Sequence, residues 1–197
     1  MMVVRYYQEI TILPSAELPA YAVWSKIFGQ VHIKLAEAQN HEARGRIGVA
    51  FPKYENNAAK VGLGDTLRIF AESVDELDGL GLAGALQRYR DYVRIKVPRI
   101  IPRKTTCGYA VYSRYRFESS RSQKARRYAQ RHDISYDEAE KLFPKDVRGK
   151  QPPYIQLKSS TNGSSFRLYI AKALKDEECR NGFSAYGLDN LSTVPEF

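Results

Sequence analysis

Hydrophobic positions in the first hundred residues recur with the periods of strands and of one long helix. Residues 3–13 alternate between apolar and polar side chains, which predicts a strand, and residues 17–39 carry apolar side chains at helical spacing. The apolar stripe of this helix, at intervals of four, three and four, is Trp24, Phe28, Val31 and Leu35. Three further strands are expected at residues 45–52, 65–71 and 92–98, with a short helix at 73–80 that a glycine-rich loop follows. The resulting order, β-α-β-β-α-β, is the ferredoxin-like (RRM-like) arrangement found in many RNA-binding modules.

The second half of the chain has its own strands and helices after a proline-containing linker. The string "PRIIPRKTT" at residues 98–106 contains two prolines, so we divide the chain into a ferredoxin-like domain, a linker and a C-terminal α/β domain. The bounds of these parts are 1–98, 99–108 and 109–197. The elements expected in the C-terminal domain are helices at 120–131 and 136–143 and strands at 109–117, 154–160 and 165–171, the last two joined by a loop at Asn162-Gly163. Ser135 and Glu138 form a capping box for the second helix, which Pro144 closes, and the predicted fold class is α+β.

Formal charge is concentrated in one segment of the C-terminal half. The chain has 31 Lys and Arg against 22 Asp and Glu, a formal net charge of +9. Between Arg103 and Arg131, nine basic residues accompany a single acid, so this segment holds nearly the whole excess. On a helix Lys124, Arg127 and Arg131 share one face, and Arg126 lies beside them. Charge clustered in this way indicates a polyanionic partner.

Composition excludes several classes of protein. No apolar run approaches the ~20 residues that a bilayer-spanning helix needs, and the N-terminal string "MMVVRYYQEITIL" lacks the layout of a signal peptide. Cys107 and Cys179 do not make a disulfide framework, and neither has His or Cys neighbours at the spacing of a metal site. We therefore expect a reduced, cytoplasmic protein with no structural metal, no cofactor and no membrane partner.

The basic helix has three interpretations. It is a solvated charged face, part of a DNA-binding helix-turn-helix formed by residues 120–131 and 136–143, or an RNA-binding element. The DNA interpretation conflicts with the order of the helices, because the second helix is the one that enters the groove and here its string "YDEAEKLF" carries three acids. RNA agrees better with the pattern, since clustered arginines follow phosphates and a stem-loop is recognised by its shape and by contacts near its ends.

Six short strings occur in the order and spacing of one protein family. They are "IFGQVHIKL" (27–35), "RIGVAFP" (46–52), "SRYRF" (113–117), "ARRYAQRHDIS" (125–135), "LKSSTNGSSFRLYI" (157–170) and "NGFSAYGL" (181–188). Together they make the chain resemble the type I-F branch of the CRISPR-associated Cas-six endoribonucleases, which cut repeat RNA into guide RNAs. The resemblance runs from about residue 3 to the C-terminus. It implies a ferredoxin-like N-terminal domain and a C-terminal domain with an arginine-rich helix.

The resemblance implies RNA cleavage without a metal ion, in which the ribose 2′-hydroxyl attacks the adjacent phosphorus and a base accepts its proton. His32 matches the family's catalytic histidine, Ser159 matches the serine that holds the ribose, and Tyr186 matches a tyrosine near the histidine. A tyrosine pKa near ~10 is too high for a base at neutral pH, so we assign Tyr186 to positioning. His32 also lies beside the apolar stripe, one turn after Gly29, where the missing side chain leaves room for a backbone to approach. Without the resemblance, each residue has a simpler interpretation. His32 would be an ordinary hydrogen-bonded histidine, Ser159 one hydroxyl among the five Ser and Thr of residues 159–165, and Tyr186 a core tyrosine.

The resemblance also implies which side chains contact the RNA. Arg114 corresponds to the arginine that reads the guanine closing the stem beside the cut, and Phe166 to an aromatic residue stacked on that pair, although its strand position also suits a core residue. Arg116 replaces a glutamine of the family on the same strand face as Arg114, and because Arg pairs with guanine we predict G·C at the last two pairs of the stem. Gln130 replaces a basic residue, which weakens one phosphate contact. The side chains expected to contact RNA beyond Arg114, Arg116 and Phe166 are Lys124, Arg126, Arg127, Gln130, Arg131, His132 and Thr161.

The resulting prediction is an endoribonuclease that binds a CRISPR repeat hairpin and cuts at the 3′ base of its stem to leave a 2′,3′-cyclic phosphate. The family implies that the prokaryotic protein stays on its product as a monomer and joins the type I-F interference complex in antiviral defence. Two alternatives remain open, a hairpin-binding subunit that does not cleave and a basic DNA-binding regulator.

Overall fold

The computed structural model describes residues 5–40, 42–102, 107–116, 121–143, 151–159 and 163–197. The helices are α1 (Ala20–Gln39), α2 (Val74–Gly79), α3 (Leu82–Ala85), α4 (Arg121–His132) and α5 (Tyr136–Lys141), with a 3-10 turn at Gln87–Tyr89. The strands are β1 (Tyr6–Ile12), β2 (Gly48–Ala50), β3 (Glu55–Asn56), β4 (Val61–Gly62), β5 (Thr66–Ala71), β6 (Val93–Ile95), β7 (Arg99–Ile100), β8 (Tyr109–Tyr115), β9 (Tyr154–Lys158), β10 (Ser165–Lys175) and β11 (Val194–Pro195). They form two compact units, residues 1–115 with 152–197, and residues 116–151. The predicted α+β class is confirmed.

The first sheet of the larger unit contains all the strands predicted for the N-terminal half, within shorter bounds. Its strand order is β2-β5-β1-β6, β7 also pairs with β1, and every pairing is antiparallel. Strand β7 falls inside the predicted linker, and the short β3-β4 hairpin was not predicted. The ferredoxin-like description and the division at residues 98 and 109 stay predictions.

Helix α1 buries the predicted apolar stripe. Its buried side chains are Val23, Trp24, Ile27, Phe28, Val31 and Leu35, so the stripe is confirmed and includes two further side chains, Val23 and Ile27. The rings of Trp24 and Phe28 lie 5.5 and 6.0 Å from the ring of Phe51, which follows β2. The indole Nε1 of Trp24 donates to the carbonyl of Gly64 at 2.8 Å. These contacts fix the rotation of the helix and therefore the direction of its less buried face.

The segment after α2 is not the loop that its glycines predicted. Gly81 adopts φ +57 and precedes a second short helix, α3, and the 3-10 turn follows directly. Leu82 and Leu86 are 3% and 1% exposed within the core. Burial of such side chains stabilises by about 1.5–3 kcal/mol each, which exceeds the helix penalty of about 1 kcal/mol for a glycine. The segment is therefore helical because the packing of its leucines outweighs its low local helix propensity.

The second sheet belongs to the same unit and has the strand order β11-β8-β10-β9. Its inner face packs into the common core, and the Tyr112 hydroxyl of β8 donates to the carbonyl of Phe51 at 3.1 Å. Strand β11 was not predicted, and β10 runs four residues beyond its expected end. Helix α1 packs against β9, which ends one residue before Ser159.

The described residues of the smaller unit include two helices that pack against each other, α4 and α5. The predicted capping box is confirmed: the Glu138 amide donates to Ser135 Oγ at 3.2 Å, and the Ser135 amide donates to Glu138 Oε2 at 3.1 Å. Pro144, predicted to close this helix, lies outside the described residues, as does Asn162 in the predicted hairpin loop. Within the described part of the chain, no helix is both long and apolar enough to cross a membrane.

Candidate active site

The imidazole of His32 is held by a backbone carbonyl from the C-terminal loop. Its Nδ1 lies 2.8 Å from the carbonyl oxygen of Ala185. Because a carbonyl oxygen can only accept, Nδ1 carries the proton of the neutral ring, and the lone pair is left on Nε2. The ring on α1 is half-buried. This arrangement selects the tautomer whose Nε2 can accept a proton.

Two effects act on the pKa of His32, and they have opposite signs. Burial lowers the pKa because the charged ring loses hydration, and the hydrogen bond to the Ala185 carbonyl raises it because the carbonyl favours the cation. Burial is the larger effect, so the pKa lies below its ordinary value of 6.5. The neutral, basic form therefore predominates at neutral pH.

Tyr186 stacks directly on the ring of His32. The two ring centroids are 3.9 Å apart and the planes differ by 5°. Tyr186 is half-buried and packs against the core. It is therefore both a core tyrosine and the tyrosine beside the histidine, which the sequence analysis gave as alternatives. A parallel ring covers one face of the imidazole and restricts its rotation.

Backbone hydrogen bonds fix the turn at residues 184–187, which carries both partners of His32. The Gly187 amide donates to the carbonyl of Ser184 at 2.8 Å, and the Ser184 amide donates to the carbonyl of Leu188 at 2.9 Å. The Val49 amide on β2 donates to the carbonyl of Gly187 at 2.9 Å. Gly187 has φ +69, and a Cβ there would lie 2.6 Å from Val49 Cγ1, so only glycine fits without a shift.

An ion pair closes the base of the same loop. Arg44 contacts the Asp189 carboxylate and donates to the carbonyl of Gly182 at 2.8 Å. Asp189 also accepts from the amides of Leu191 at 2.9 Å and Ser192 at 2.7 Å. Burial raises the pKa of Asp189, but the amide and Arg44 hydrogen bonds outweigh it and hold the pKa below its usual range. The loop is therefore anchored at both ends around its contact with His32.

Ser159 directly follows the strand against which the histidine-bearing helix packs. It is half-buried, its amide donates to the carbonyl of Ser164 at 2.8 Å, and its carbonyl accepts from the amide of Gly163 at 2.9 Å. These bonds connect the residue after β9 to the two residues that precede β10. Its role with the ribose stays a prediction.

Arg114 and Phe166 meet on one face of the second sheet. The Arg114 guanidinium carbon lies 5.7 Å from the centroid of the Phe166 ring, which is within cation–π range. Arg114 is exposed, whereas Phe166 is half-buried against the core. Strand β8 ends at Tyr115, so Arg116 is exposed and lies just beyond the strand, and the predicted shared face with Arg114 stays a prediction.

A comparison with known families decides the identity of this fold. The model of the family described as CRISPR-associated protein (Cas_Csy4) matches residues 7–197. The chain belongs to the Csy4-type Cas6 family. It is 34% identical over 194 residues to a CRISPR-associated endonuclease Cas6/Csy4 of Pseudomonas aeruginosa (strain UCBPP-PA14), covering 98% of this chain and 99% of the relative. It is 26% identical, with the same coverage, to the protein of that name from Escherichia coli (strain UTI89 / UPEC).

In this Csy4-type chain the basic helix α4 presents most of its predicted RNA contacts outward. The exposed side chains are Arg126, Arg127, Gln130, Arg131 and His132, and Lys124 is half-buried. The ring of Tyr128 stacks on that of His132, with centroids 4.1 Å apart, and meets the ring of Phe143 edge-on at 5.8 Å. His132, a predicted RNA contact, therefore also contacts an aromatic cluster within the smaller unit. Thr161 lies outside the described residues. All these roles stay predictions.

The structure adds two residues that the sequence analysis missed. A Cβ on Gly29 would meet nothing within 4 Å, so the space beside Gly29 is open in the described chain and the approach of a backbone there stays a prediction. Ala185 and Gly187 were missed. Ala185 acts through its carbonyl, which leaves no signal in residue type, whereas the glycine after Tyr186 was a signal for a positive φ. Among the described residues, His, Cys, Asp and Glu form no cluster of three or more suited to a metal ion.

Proposed function

We propose that this Csy4-type protein is an endoribonuclease that processes CRISPR repeat RNA in the prokaryotic cytoplasm. The observation that carries the proposal is the pair of contacts around His32, with Nδ1 on the Ala185 carbonyl at 2.8 Å and the Tyr186 ring stacked at 3.9 Å. Such a fixed imidazole with its lone pair on Nε2 suits a general base. The two relatives that carry the name endonuclease support the same reaction class.

The proposed reaction is transesterification within the RNA backbone. Nε2 of His32 accepts the proton of the ribose 2′-hydroxyl, the 2′-oxygen bonds to the adjacent phosphorus, and the bond from phosphorus to the 5′-oxygen breaks. The products are a 2′,3′-cyclic phosphate and a 5′-hydroxyl, which takes up a proton. No step needs a metal ion, so cleavage in EDTA is part of the proposal.

Ser159 and Tyr186 act on geometry rather than on protons. We assign the Ser159 hydroxyl to the ribose that carries the attacking oxygen, because Ser159 follows the strand against which α1 packs. Tyr186 restrains the imidazole through its stacked ring. Holding the attacking oxygen in line with the scissile bond accounts for up to about 7–11 kcal/mol of a barrier in well-oriented systems.

Affinity comes from two sets of cationic side chains. Arg114 and the Phe166 ring meet on one face of the second sheet, where a guanine-containing terminal pair can be read and stacked. The exposed arginines of α4 contact stem phosphates, which adds affinity that depends steeply on salt. We propose that the protein remains on its hairpin product as a monomer and enters a type I-F interference complex with it.

The decisive experiment uses labelled repeat RNA, an excess of protein and EDTA. We expect wild type to cleave once at the 3′ base of the stem and leave a cyclic phosphate. His32→Ala lowers the single-turnover rate by about 10²–10⁴-fold, the contribution of a positioned general base, with its hairpin affinity unchanged.

His132→Ala is the matched control, because it removes another imidazole without touching the base. It is expected to weaken binding and to keep the wild-type rate at saturating protein. Binding without cleavage by wild type would support a hairpin-binding subunit, preference for duplex DNA would support a regulator, and wild-type cleavage by His32→Ala would remove the histidine from the mechanism.

A further inference from the structure

The loop that contacts His32, residues 182–189, is joined to helix α1 at a second place. The first place is His32 itself, which contacts the middle of the loop. The second is Arg44, which contacts the Asp189 carboxylate and donates to the carbonyl of Gly182 at 2.8 Å. Gly182 and Asp189 are the two ends of the loop, so a single guanidinium nitrogen bridges them.

The segment that carries Arg44 is tied to the end of α1. The Glu42 amide donates to the carbonyl of Gln39, the last residue of the helix, at 3.0 Å, and the Gln39 side chain donates to the carbonyl of Glu42. Directly beside Arg44, Gly45 and Phe183 exchange two backbone hydrogen bonds at 2.8 and 2.9 Å. The position of the helix end is therefore passed to the loop through Arg44 and its neighbour.

The backbone at Gly182 leaves room for the Arg44 side chain. Gly182 has φ +77, and a Cβ there would lie 2.9 Å from Arg44 Cβ and 3.1 Å from the carbonyl oxygen of Gly45. The Gly182 carbonyl also accepts from Ser192 Oγ at 2.7 Å, and Ser192 is buried. Both lone pairs of this carbonyl are used, one by Arg44 and one by a buried hydroxyl, so its position is fixed.

The Asp189 carboxylate is mostly buried and depends on Arg44 for its counter-charge. Its side chain is 10% exposed, against 41% for Arg44. Because the pKa of Asp189 lies below its usual range, the carboxylate is ionised at neutral pH. Hydrogen bonds between ionised groups are roughly twice as strong as neutral ones. Loss of Arg44 leaves a carboxylate with little access to water and no cation beside it, so the loop must shift to hydrate it.

Two attachments to α1 fix the orientation of the loop, whereas one would not. The contact at His32 is one hydrogen bond and one stacked ring, about which the loop can still turn. The backbone bond between Val49 and Gly187 holds the loop to a strand and not to the helix that carries His32. The attachment through Arg44 removes the remaining freedom relative to the imidazole.

We propose that Arg44 and Asp189 are a positioning pair for catalysis, which holds the Ala185 carbonyl on Nδ1 of His32 and so keeps the lone pair on Nε2. The inference rests on the proposed function, because that function assigns Nε2 to the proton of the 2′-hydroxyl. In this role neither residue touches RNA, so the pair governs the rate of cleavage and not the affinity for the hairpin. Direct contact of the half-exposed Arg44 with an RNA phosphate is the competing role.

The first readout is single-turnover cleavage of repeat RNA at saturating protein, with Arg44→Ala, Asp189→Asn and the double variant. Asparagine keeps an oxygen that can accept from the amides of Leu191 and Ser192, so Asp189→Asn removes the charge and leaves the turn. Each single variant should lower the rate by about 10- to 100-fold, the effect of a misplaced base, with hairpin affinity unchanged. The double variant should be no slower than the slower single variant, because the two side chains act as one unit.

The second readout is the tautomer of His32 in the protein without RNA. Nitrogen-15 chemical shifts distinguish a protonated from an unprotonated imidazole nitrogen, and the spectrum of His32→Ala identifies its signals among those of the three histidines. Wild type should carry the proton on Nδ1 at neutral pH. Both single variants should share it between the two nitrogens, because the hydrogen bond at Nδ1 selects the tautomer.

Two further variants separate the pair from general effects of substitution. Arg44→Lys keeps a cation beside Asp189 and should retain most of the rate. Asp65→Asn is the matched control, because Asp65 also pairs with a cation, Lys53 at 2.9 Å, and neither of its side-chain partners lies in residues 182–189. It should equal wild type in both readouts, and thermal melting of every variant sets a temperature at which it is folded.

Each remaining outcome decides against the inference. An unchanged rate and tautomer in both single variants overturns it. A lowered rate with the proton still on Nδ1 assigns Arg44 to RNA instead of the loop, and rate effects that multiply in the double variant show that the two residues act separately. Failure of the proposed function would appear differently, as repeat RNA left uncut by wild type while the tautomer still responds to Arg44→Ala.

Discussion

Replacing Gly187 by alanine tests whether the loop that contacts His32 holds its imidazole in the position of a general base. Gly187 follows Tyr186 directly, and its carbonyl accepts the Val49 amide at 2.9 Å. It is buried with φ +69, and an added Cβ would lie 2.6 Å from Val49 Cγ1 and 3.3 Å from Leu35 Cδ1. The loop must therefore move, and the Ala185 carbonyl moves with it.

The magnitude follows from two separate effects at Gly187. An alanine in the left-handed region costs about 1–2 kcal/mol, and overpacking of a filled core costs about 1–3 kcal/mol. The free energy of unfolding should fall by about 2–5 kcal/mol, which for a chain of this size lowers Tm by roughly 4–20 °C. A shift of about 1 Å at the base reduces cleavage by the order of 10²-fold.

The assay combines thermal melting with single-turnover cleavage at a temperature where the variant is folded. Gly84→Ala is the matched control, because a Cβ on Gly84 meets nothing within 4 Å and its backbone is helical. We expect this control to keep the wild-type rate and to gain up to about 1 kcal/mol of stability. If Gly187→Ala kept both the wild-type Tm and the wild-type rate, the loop would not hold His32 as argued.

The remaining predictions concern proton uptake, RNA contacts and a buried charge. Because burial lowers the pKa of His32 below 6.5, the cleavage rate should be flat above pH 6.5 and fall about tenfold per pH unit below the lowered pKa; a pH–rate profile with its midpoint above 6.5 contradicts this. Arg131→Ala should weaken binding equally for all stems and reduce the slope of log affinity against log salt concentration by about one, whereas Arg114→Ala should cost about 1–3 kcal/mol of discrimination at one base pair. Binding titrations with stem variants at several salt concentrations measure both effects, and identical behaviour of the two variants refutes the assignment. Glu9→Ala removes the carboxylate that Arg68 contacts at 2.7 Å and should lower the free energy of unfolding by about 3–5 kcal/mol. Unfolding in urea measures this change, and an unchanged free energy of unfolding would show that the ion pair is dispensable.

Local patterns predicted the helices and strands whose sequences carry a strong period. The stripe of α1 and the capping box at Ser135 and Glu138 were predicted because their signals lie within a few residues of one another. Short elements were missed where tertiary contacts outweigh propensity. Helix α3 follows a glycine at Gly81 and exists because Leu82 and Leu86 are buried, and strand β7 lies between prolines yet pairs with β1.

The family resemblance predicted the side chains of the candidate site but not the backbone group that contacts them. His32 and Tyr186 were expected to be neighbours, and the structure adds that their rings are parallel. Nothing in the residue type of Ala185 indicated that its carbonyl selects the tautomer of His32. The expected role of Gly29 stays a prediction, because the space beside it is open in the described chain.

The sequence by itself determined the charge of the basic helix, the apolar face of α1 and the family to which the chain belongs. Those properties follow from the order and identity of nearby residues, which the chain carries whether folded or not. Only the tertiary structure decided the tautomer and the lowered pKa of His32, because the carbonyl that it contacts is 153 residues away. The same holds for the pairing of Arg44 with Asp189, since side chains 145 residues apart meet only when the C-terminal loop folds back beside α1.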